Sequence, residues 1–340
     1  MDYYFSSLFS FVLSISIICN VAHGCFTSIF SFGDSLTDTG NSLQLSLSGS
    51  TNYFSHCDFP PYGTTFFQNP TGRCSDGRLV IDFIAEGLGL PYLPPYLEVK
   101  YKNEGTENLQ KGVNFAVTGA TAVDDDFFQE RGIRNPSTNV SLGVELEFFK
   151  HVLPSLCSSF SDCKEMLQNS LIVMGEIGGN DYNYAFLQGK KVEEIREFVP
   201  LVVNTITSAV NELIKLGAVT FLIPGNFPIG CSPAYLSYFQ GSNQEEYDPL
   251  TGFTKTLKAC CGSGGPYNYN SSMECGDSSV KSCDDPSSYI SWDGVHFTEA
   301  TYRWVSKAVL QQLFTIPSIQ SLCLPLAMNM KSIFSSWEYQ

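Results

Sequence analysis

Histidine is scarce in this chain, and that scarcity narrows any acid–base chemistry. Of four histidines, His23 sits in the apolar leader, leaving His56, His151 and His296. His56 lies in a loop beside Cys57, and His151 falls towards the end of a helical pattern, where an exposed histidine often serves the helix dipole. His296 alone has a carboxylate three residues back, in Ser291-Trp292-Asp293-Gly294-Val295-His296. In a tight turn Asp293 can reach Nδ1 of His296 and fix the tautomer that leaves Nε2 free as a base. The matching nucleophile is Ser35, in Gly33-Asp34-Ser35-Leu36 directly after the apolar run Ser28–Phe32.

Two further positions complete an acyl-transfer set. Gly119 closes the run that begins at Asn114, and Asn180 stands in Gly178-Gly179-Asn180-Asp181. A backbone N–H and a side-chain amide are suitable donors to an oxyanion. Alone, each triplet is ordinary turn punctuation. Four of them in chain order, three at strand exits and one in a late turn, are harder to assign to chance. GxSxG, HExxH, a phosphate-binding P-loop and GxGxxG are all absent, which argues against the usual hydrolase elbow, zinc proteases, P-loop enzymes and dinucleotide binding.

The elements that must hold these residues read as alternating strands and helices. Strand-like runs are Ser28–Phe32, Val113–Val117, Leu171–Met174 and Ala218–Ile223. Helical periodicity covers Leu79–Leu88, Leu142–Val152, about Val192–Leu216 with Gly217 as its stop, and a closing helix from Thr298 to Phe314. Repeated strand–helix–strand units predict an α/β domain with a parallel sheet, and ligands bind at the carboxyl edge of such sheets. Between Asn226 and Trp292 the periodicity fails, leaving turn residues and cysteines.

Composition bounds the rest. The 340 residues are 43% hydrophobic and 14% aromatic, enough for a large core in one domain. A formal net charge of −15 without a Lys/Arg run argues against nucleic acid as a partner. Phe5 to Ala22 is an apolar stretch with small residues before Cys25, so residues 1–24 read as a signal peptide and 25–340 as the mature single domain. A membrane anchor is the alternative reading, because about 17–25 apolar residues can span a bilayer; the small-residue exit favours cleavage.

The 12 cysteines suit an oxidising compartment, with Cys157 and Cys163 spaced for a small loop. Cys260, Cys261, Cys275 and Cys283 crowd one region with their pairing open. Eleven remain after Cys19 leaves with the leader, which implies a free thiol or a missing partner. Asn139 and Asn270 head N-glycosylation triplets.

Together these blocks resemble the plant GDSL (SGNH) esterase/lipases: Phe32-Gly33-Asp34-Ser35 with Asp38-Thr39-Gly40-Asn41, Asn114-Phe115-Ala116 with Gly119-Ala120, Gly178-Gly179-Asn180-Asp181, and Asp293 to His296. Pro60-Pro61-Tyr62-Gly63, Gly72–Arg78 and Gly225–Cys231 extend the similarity, which runs from about Ser28 to Phe314 and is nearest to the sinapine esterase-like and acetylajmalan esterase-like group. The resemblance implies a flavodoxin-like three-layer α/β/α fold and a Ser35–His296–Asp293 triad. It also implies an oxyanion hole from Ser35, Gly119 and Asn180, with no metal or organic cofactor. An exported esterase acting on small acyl or hydroxycinnamoyl esters is the expectation; a non-catalytic glycoprotein that keeps the fold is the rival, and a secreted peptidase a second. Against the family pattern, Tyr247–Gly252 runs straight into Phe253, so a helix and an edge strand are expected to be missing. A peripheral unit would leave the triad assembled beside exposed apolar surface. A unit that braces the Asp293–His296 turn would leave the imidazole misplaced.

Overall fold

Ser28–Ser31 forms strand β1, buried at all four positions. A strand buried on both faces belongs at the centre of a parallel sheet with helices above and below. β1 pairs in parallel with β2 (Gly112–Asn114) on one side and β3 (Ser170–Val173) on the other, and β3 pairs with β4 (Thr220–Leu222). Among the described residues the order β2-β1-β3-β4 matches the first four strands of the flavodoxin-like order. These features come from a computed structural model that describes residues 25–49, 54–102, 106–239, 253–311, 315, 316 and 319; the expected signal peptide lies outside the described residues.

Successive side chains of a strand point to opposite faces. Ile29, Leu171 and Val173 therefore enter one apolar cluster, while Phe30 and Ile172 enter another. Eleven helices among the described residues surround the sheet: α1 (Asn41–Ser48), α2 (Val80–Gly87), α3 (Tyr96–Lys102), α4 (Asp125–Gln129), α5 (Leu142–Leu156), α6 (Phe160–Gln168), α7 (Gly179–Leu187), α8 (Val192–Arg196), α9 (Val199–Leu216), α10 (Pro233–Tyr238) and α11 (Glu299–Leu310). On the first face, α2 and α11 pack against each other with Ile81, Phe83, Ile84, Tyr302 and Leu310 buried. On the second, α5 and α9 supply Leu146, Phe149, Leu153, Val202, Ala209 and Leu213. The three-layer α/β/α arrangement follows.

Several boundaries differ from the sequence reading. The run expected over Val113–Val117 is strand only to Asn114, although Phe115 N–H and Val117 N–H still donate to Ser31 and Gly33 along β1. The single helix expected over Val192–Leu216 is two, α8 and α9. Pro200, near the start of α9, has no N–H to offer Arg196, so a continuous helix breaks there. The stretch from Asn226 to Trp292 also holds more than turns. It contains α10, a parallel pair of β5 (Lys255–Ala259) with β8 (Tyr289–Ser291), and an antiparallel pair of β6 (Cys261–Gly262) with β7 (Lys281–Ser282). Strands of five residues or fewer carry little periodicity, and disulfides Cys260–Cys283 and Cys261–Cys275 supply the cross-links instead.

The expected Cys157–Cys163 loop is closed, Cys57 bonds Cys74, and Cys25 is also disulfide-bonded. The free thiol among the described residues is Cys231, which is exposed. At the far edge β4 is only half-buried. Val219 is 64% and Ile223 49% exposed, and α9 shows Val203 and Ile214 to solvent. No helix among the described residues is long and apolar enough to cross a membrane.

Candidate active site

The turn carrying Ser35 begins where β1 ends. Gly33 has φ +137°, and a Cβ there would lie 2.9 Å from the Glu176 carbonyl oxygen, so only glycine fits. Gly33 N–H donates to the buried carboxylate of Glu145 at 2.9 Å, and Asp34 N–H donates to Glu176 O. Ser35 follows, 8% exposed. Asp38 then ties this turn to the β2 exit: its carboxylate accepts from the N–H groups of Gly40, Asn41, Ser42 and Thr118 and from the Thr118 hydroxyl. Asn41 and Asn114 finish the joint, donating to Asn114 O, Ala116 O and Thr37 O.

From the other end of the chain comes the loop between β8 and α11. Trp292 N–H donates to His296 O, closing the turn. Asp293 Oδ1 accepts from Val295 N–H and His296 N–H, both at 2.8 Å. Asp293 Oδ2 lies 2.7 Å from His296 Nδ1, and His296 Nε2 lies 2.9 Å from Ser35 Oγ. Burial pushes the Asp293 carboxyl up, but the charge of His296, its hydrogen bond and the two backbone donors outweigh that and hold it at about 2. The carboxylate is therefore ionised at any physiological pH.

The segment 72–78 braces this loop. Ser75 Oγ donates to Phe297 O, Asp76 Oδ1 accepts from Glu299 N–H at the start of α11, and Arg78 holds Glu299 through both its N–H and its guanidinium. Thr298 caps the helix by accepting from Thr301 N–H.

Gly119 and Asn180 lie on the same cavity wall as Ser35 and His296. Gly119 has φ +84°, and its carbonyl accepts from Tyr184 Oη and Asn135 Nδ2. Its N–H and that of Ser35 have no acceptor among the described residues. Asn180, in the first turn of α7, donates from Nδ2 to Asp34 Oδ2 at 3.2 Å and Ala120 O at 3.0 Å. Next to it, Asp181 accepts from Ala122 N–H and Val123 N–H, and burial raises its carboxyl to about 7. Burial also raises Asp34, Asp38, Glu145 and Glu176, with the charge of Glu176 adding to the effect at Asp34. A bed of buried acids thus underlies the site.

The cavity is about 870 Å³, with Leu36, Leu187, Phe227, Ile229, Tyr235 and Leu257 among its walls. His56 lines it too, but its ring nitrogens face Glu274 at 3.5 Å and Asp277 at 3.8 Å, not Ser35. His151 is on the surface, with Nδ1 at 3.1 Å from Tyr96 Oη. Asn139 and Asn270 are both exposed. Two sulfurs, Cys57 and Cys74, approach His296 closely, but they are bonded to each other and offer no thiolate to a metal. Sequence reasoning missed Tyr62, whose hydroxyl donates to Asp293 Oδ2 at 2.7 Å. With a sequence separation of 231, no local pattern pairs the two.

Residues 29–309 match the model of the GDSL-like lipase/acylhydrolase family, a family of acyl-ester hydrolases. The chain belongs to that family. Among its relatives in Arabidopsis thaliana, GDSL esterase/lipase At1g28580 is 47% identical over 368 residues, covering 92% of each chain. GDSL esterase/lipase At1g28570 is 48% identical over 379 residues, covering 94% of this chain and 95% of its own. GDSL esterase/lipase At1g28600 is 44% identical over 384, covering 97% and 94%. Each alignment is longer than this 340-residue GDSL hydrolase, so the relatives carry internal residues that it lacks. Among the described residues the sheet ends at the half-buried β4, which agrees with such a loss.

Proposed function

We propose that this chain is an exported serine esterase with Ser35 as nucleophile, His296 as general base and acid, and Asp293 as the carboxylate that orients and balances the imidazole. The observation that carries this reading is the unbroken relay of 2.9 Å from Ser35 Oγ to His296 Nε2 and 2.7 Å from His296 Nδ1 to Asp293 Oδ2. His296 takes the Ser35 proton as Oγ attacks an ester carbonyl, then gives it to the leaving alcohol. Water attacks the acyl-enzyme with His296 again as base, releasing the acid. The unpaired N–H groups of Ser35 and Gly119 suit the developing oxyanion, with the Asn180 amide as third donor. For Asn180 to serve, its bond to Asp34 gives way to a stronger one with the oxyanion.

A cavity of about 870 Å³ with apolar and aromatic walls supports a substrate with a bulky group, such as a hydroxycinnamoyl ester of a plant metabolite, as well as smaller acyl esters. Disulfide pairing supports export, since such bonds persist in oxidising compartments.

The test is covalent labelling of the secreted protein with a fluorophosphonate probe, beside Ser35→Ala. Labelling of the wild type alone is expected. Equal labelling of both overturns the reading, and labelling of neither leaves a non-catalytic glycoprotein. Intact casein alongside hydrolysis of p-nitrophenyl acetate separates esterase from peptidase, and faster turnover of long-chain than short-chain esters would count against the substrate class.

A further inference from the structure

We propose that Tyr62 is a positioning residue for the reaction, acting on His296 through Asp293; this rests on the triad reading above. Tyr62 is 3% exposed, and its hydroxyl donates to Asp293 Oδ2 at 2.7 Å. That oxygen is also the one facing His296 Nδ1 at 2.7 Å. Asp293 thus has four donors, two on each oxygen: backbone N–H groups on Oδ1, the phenol and the imidazole on Oδ2. Without the phenol, Val295 and His296 N–H would hold Oδ1 while Oδ2 met only the imidazole that it has to orient, leaving the carboxylate and the ring free to rock together about the Asp293 Cβ–Cγ bond. The phenol pins the second oxygen, and with it the plane in which His296 Nδ1–H must lie. Burial and the Asp293 charge hold the Tyr62 phenol well above its ordinary range, so it remains a donor throughout.

Tyr62 is itself rigidly mounted. Its ring meets Trp292 edge to face at 5.9 Å, its N–H donates to Phe59 O, and its segment is stapled by Cys57–Cys74, whose sulfurs lie within 4.8 Å of a ring nitrogen of His296. Tyr62 and Cys57 line the cavity, but the phenol is committed to Asp293 and the two sulfurs to each other. Their part is to fix where the imidazole points.

The experiment is a double-mutant cycle with Tyr62→Phe and Asp293→Asn, measured on the secreted protein with an activated ester and with the fluorophosphonate labelling rate. Tyr62→Phe keeps the ring against Trp292. It is expected to lower kcat about tenfold with KM unchanged, the loss of one charge-assisted hydrogen bond. In the Asp293→Asn background the same change is expected to have no further effect. An equal loss in both backgrounds, a change in KM alone, or an unchanged kcat overturns the proposal. Should Tyr62→Phe fail to fold, 3-fluorotyrosine at position 62 keeps ring and hydroxyl while making the phenol a stronger donor; a kcat identical to wild type would then sink the idea. If wild type itself neither labels nor turns over, it is the esterase reading that fails, not the role of Tyr62.

Discussion

His296 Nε2 and Ser35 Oγ lie 2.9 Å apart although 261 residues separate them in the chain. One is delivered by the exit of β1 and the other by the loop that leads into α11. The contact is made by two rigid mounts: the Asp38 carboxylate with its five donors on the serine side, and the Ser75–Arg78 clasp on the histidine side. A misplacement of about 1 Å costs on the order of 100-fold in rate, so both mounts bear on turnover.

Asn180→Ala is expected to lower kcat by roughly 10²–10³, the usual loss for one oxyanion donor, with KM little changed. Its Nδ2 bonds to Asp34 and Ala120 are lost as well, so a melting curve should accompany the kinetics. A kcat within threefold of wild type would remove Asn180 from the oxyanion hole.

Stability should be greatest in mild acid. Asp181 is raised from 3.8 to about 7, so the folded state holds a proton that the unfolded state releases. Its contribution is fully present below about 4 and is lost as pH rises through 7. Asp34, Asp38, Glu145 and Glu176 are raised too and act in the same sense. Asp293 acts oppositely: held at about 2, it stabilises above 3.8 and loses that contribution as pH falls through 2. Calorimetry should give a higher Tm at pH 5 than at pH 8. In Asp181→Asn the Tm should start lower, because one backbone donor loses its acceptor, and fall less over the same range.

Removing the Cys57–Cys74 bond as the paired alanine variant is expected to cost roughly 3 kcal/mol for a loop of this length. Because the sulfurs pack beside His296, kcat should fall along with Tm. Loss of Tm with full activity at 20 °C would show that the staple serves the fold alone.

Much of this was legible beforehand, and the residues show why. The turns at Ser35, Gly119, Asn180 and Asp293 are local motifs at the exits of short buried strands or in a tight loop, and motif plus periodicity is local information. Tyr62 on Asp293, Ser75 on Phe297 and Asp38 on Thr118 are contacts between distant segments, and no spacing in one sequence encodes them. The β5–β8 pair escaped for another reason. Lys255–Ala259 alternates weakly and sits half-buried, so cross-links rather than an apolar face hold it.

The bare edge makes a prediction about behaviour in solution. Val219 and Ile223 flank a strand that has no partner on one side among the described residues, an arrangement that invites association between copies. Val219→Lys should leave ester turnover unchanged and reduce light scattering in concentrated samples. Scattering that is equal in the two proteins would mean that the edge is not the sticky surface.

The clasp of residues 75–78 on the start of α11 has a wider consequence. The clasp reaches the imidazole loop from the α2 side, and the segment after β4 reaches it from the other, where Ala234 N–H donates to Gly294 O and Phe227 meets Phe297 edge to face at 5.1 Å. The loop that aims the imidazole is thus gripped from both flanks. A change at the outer strand therefore has a short mechanical path to the reactive rim, through only a few residues of connecting chain.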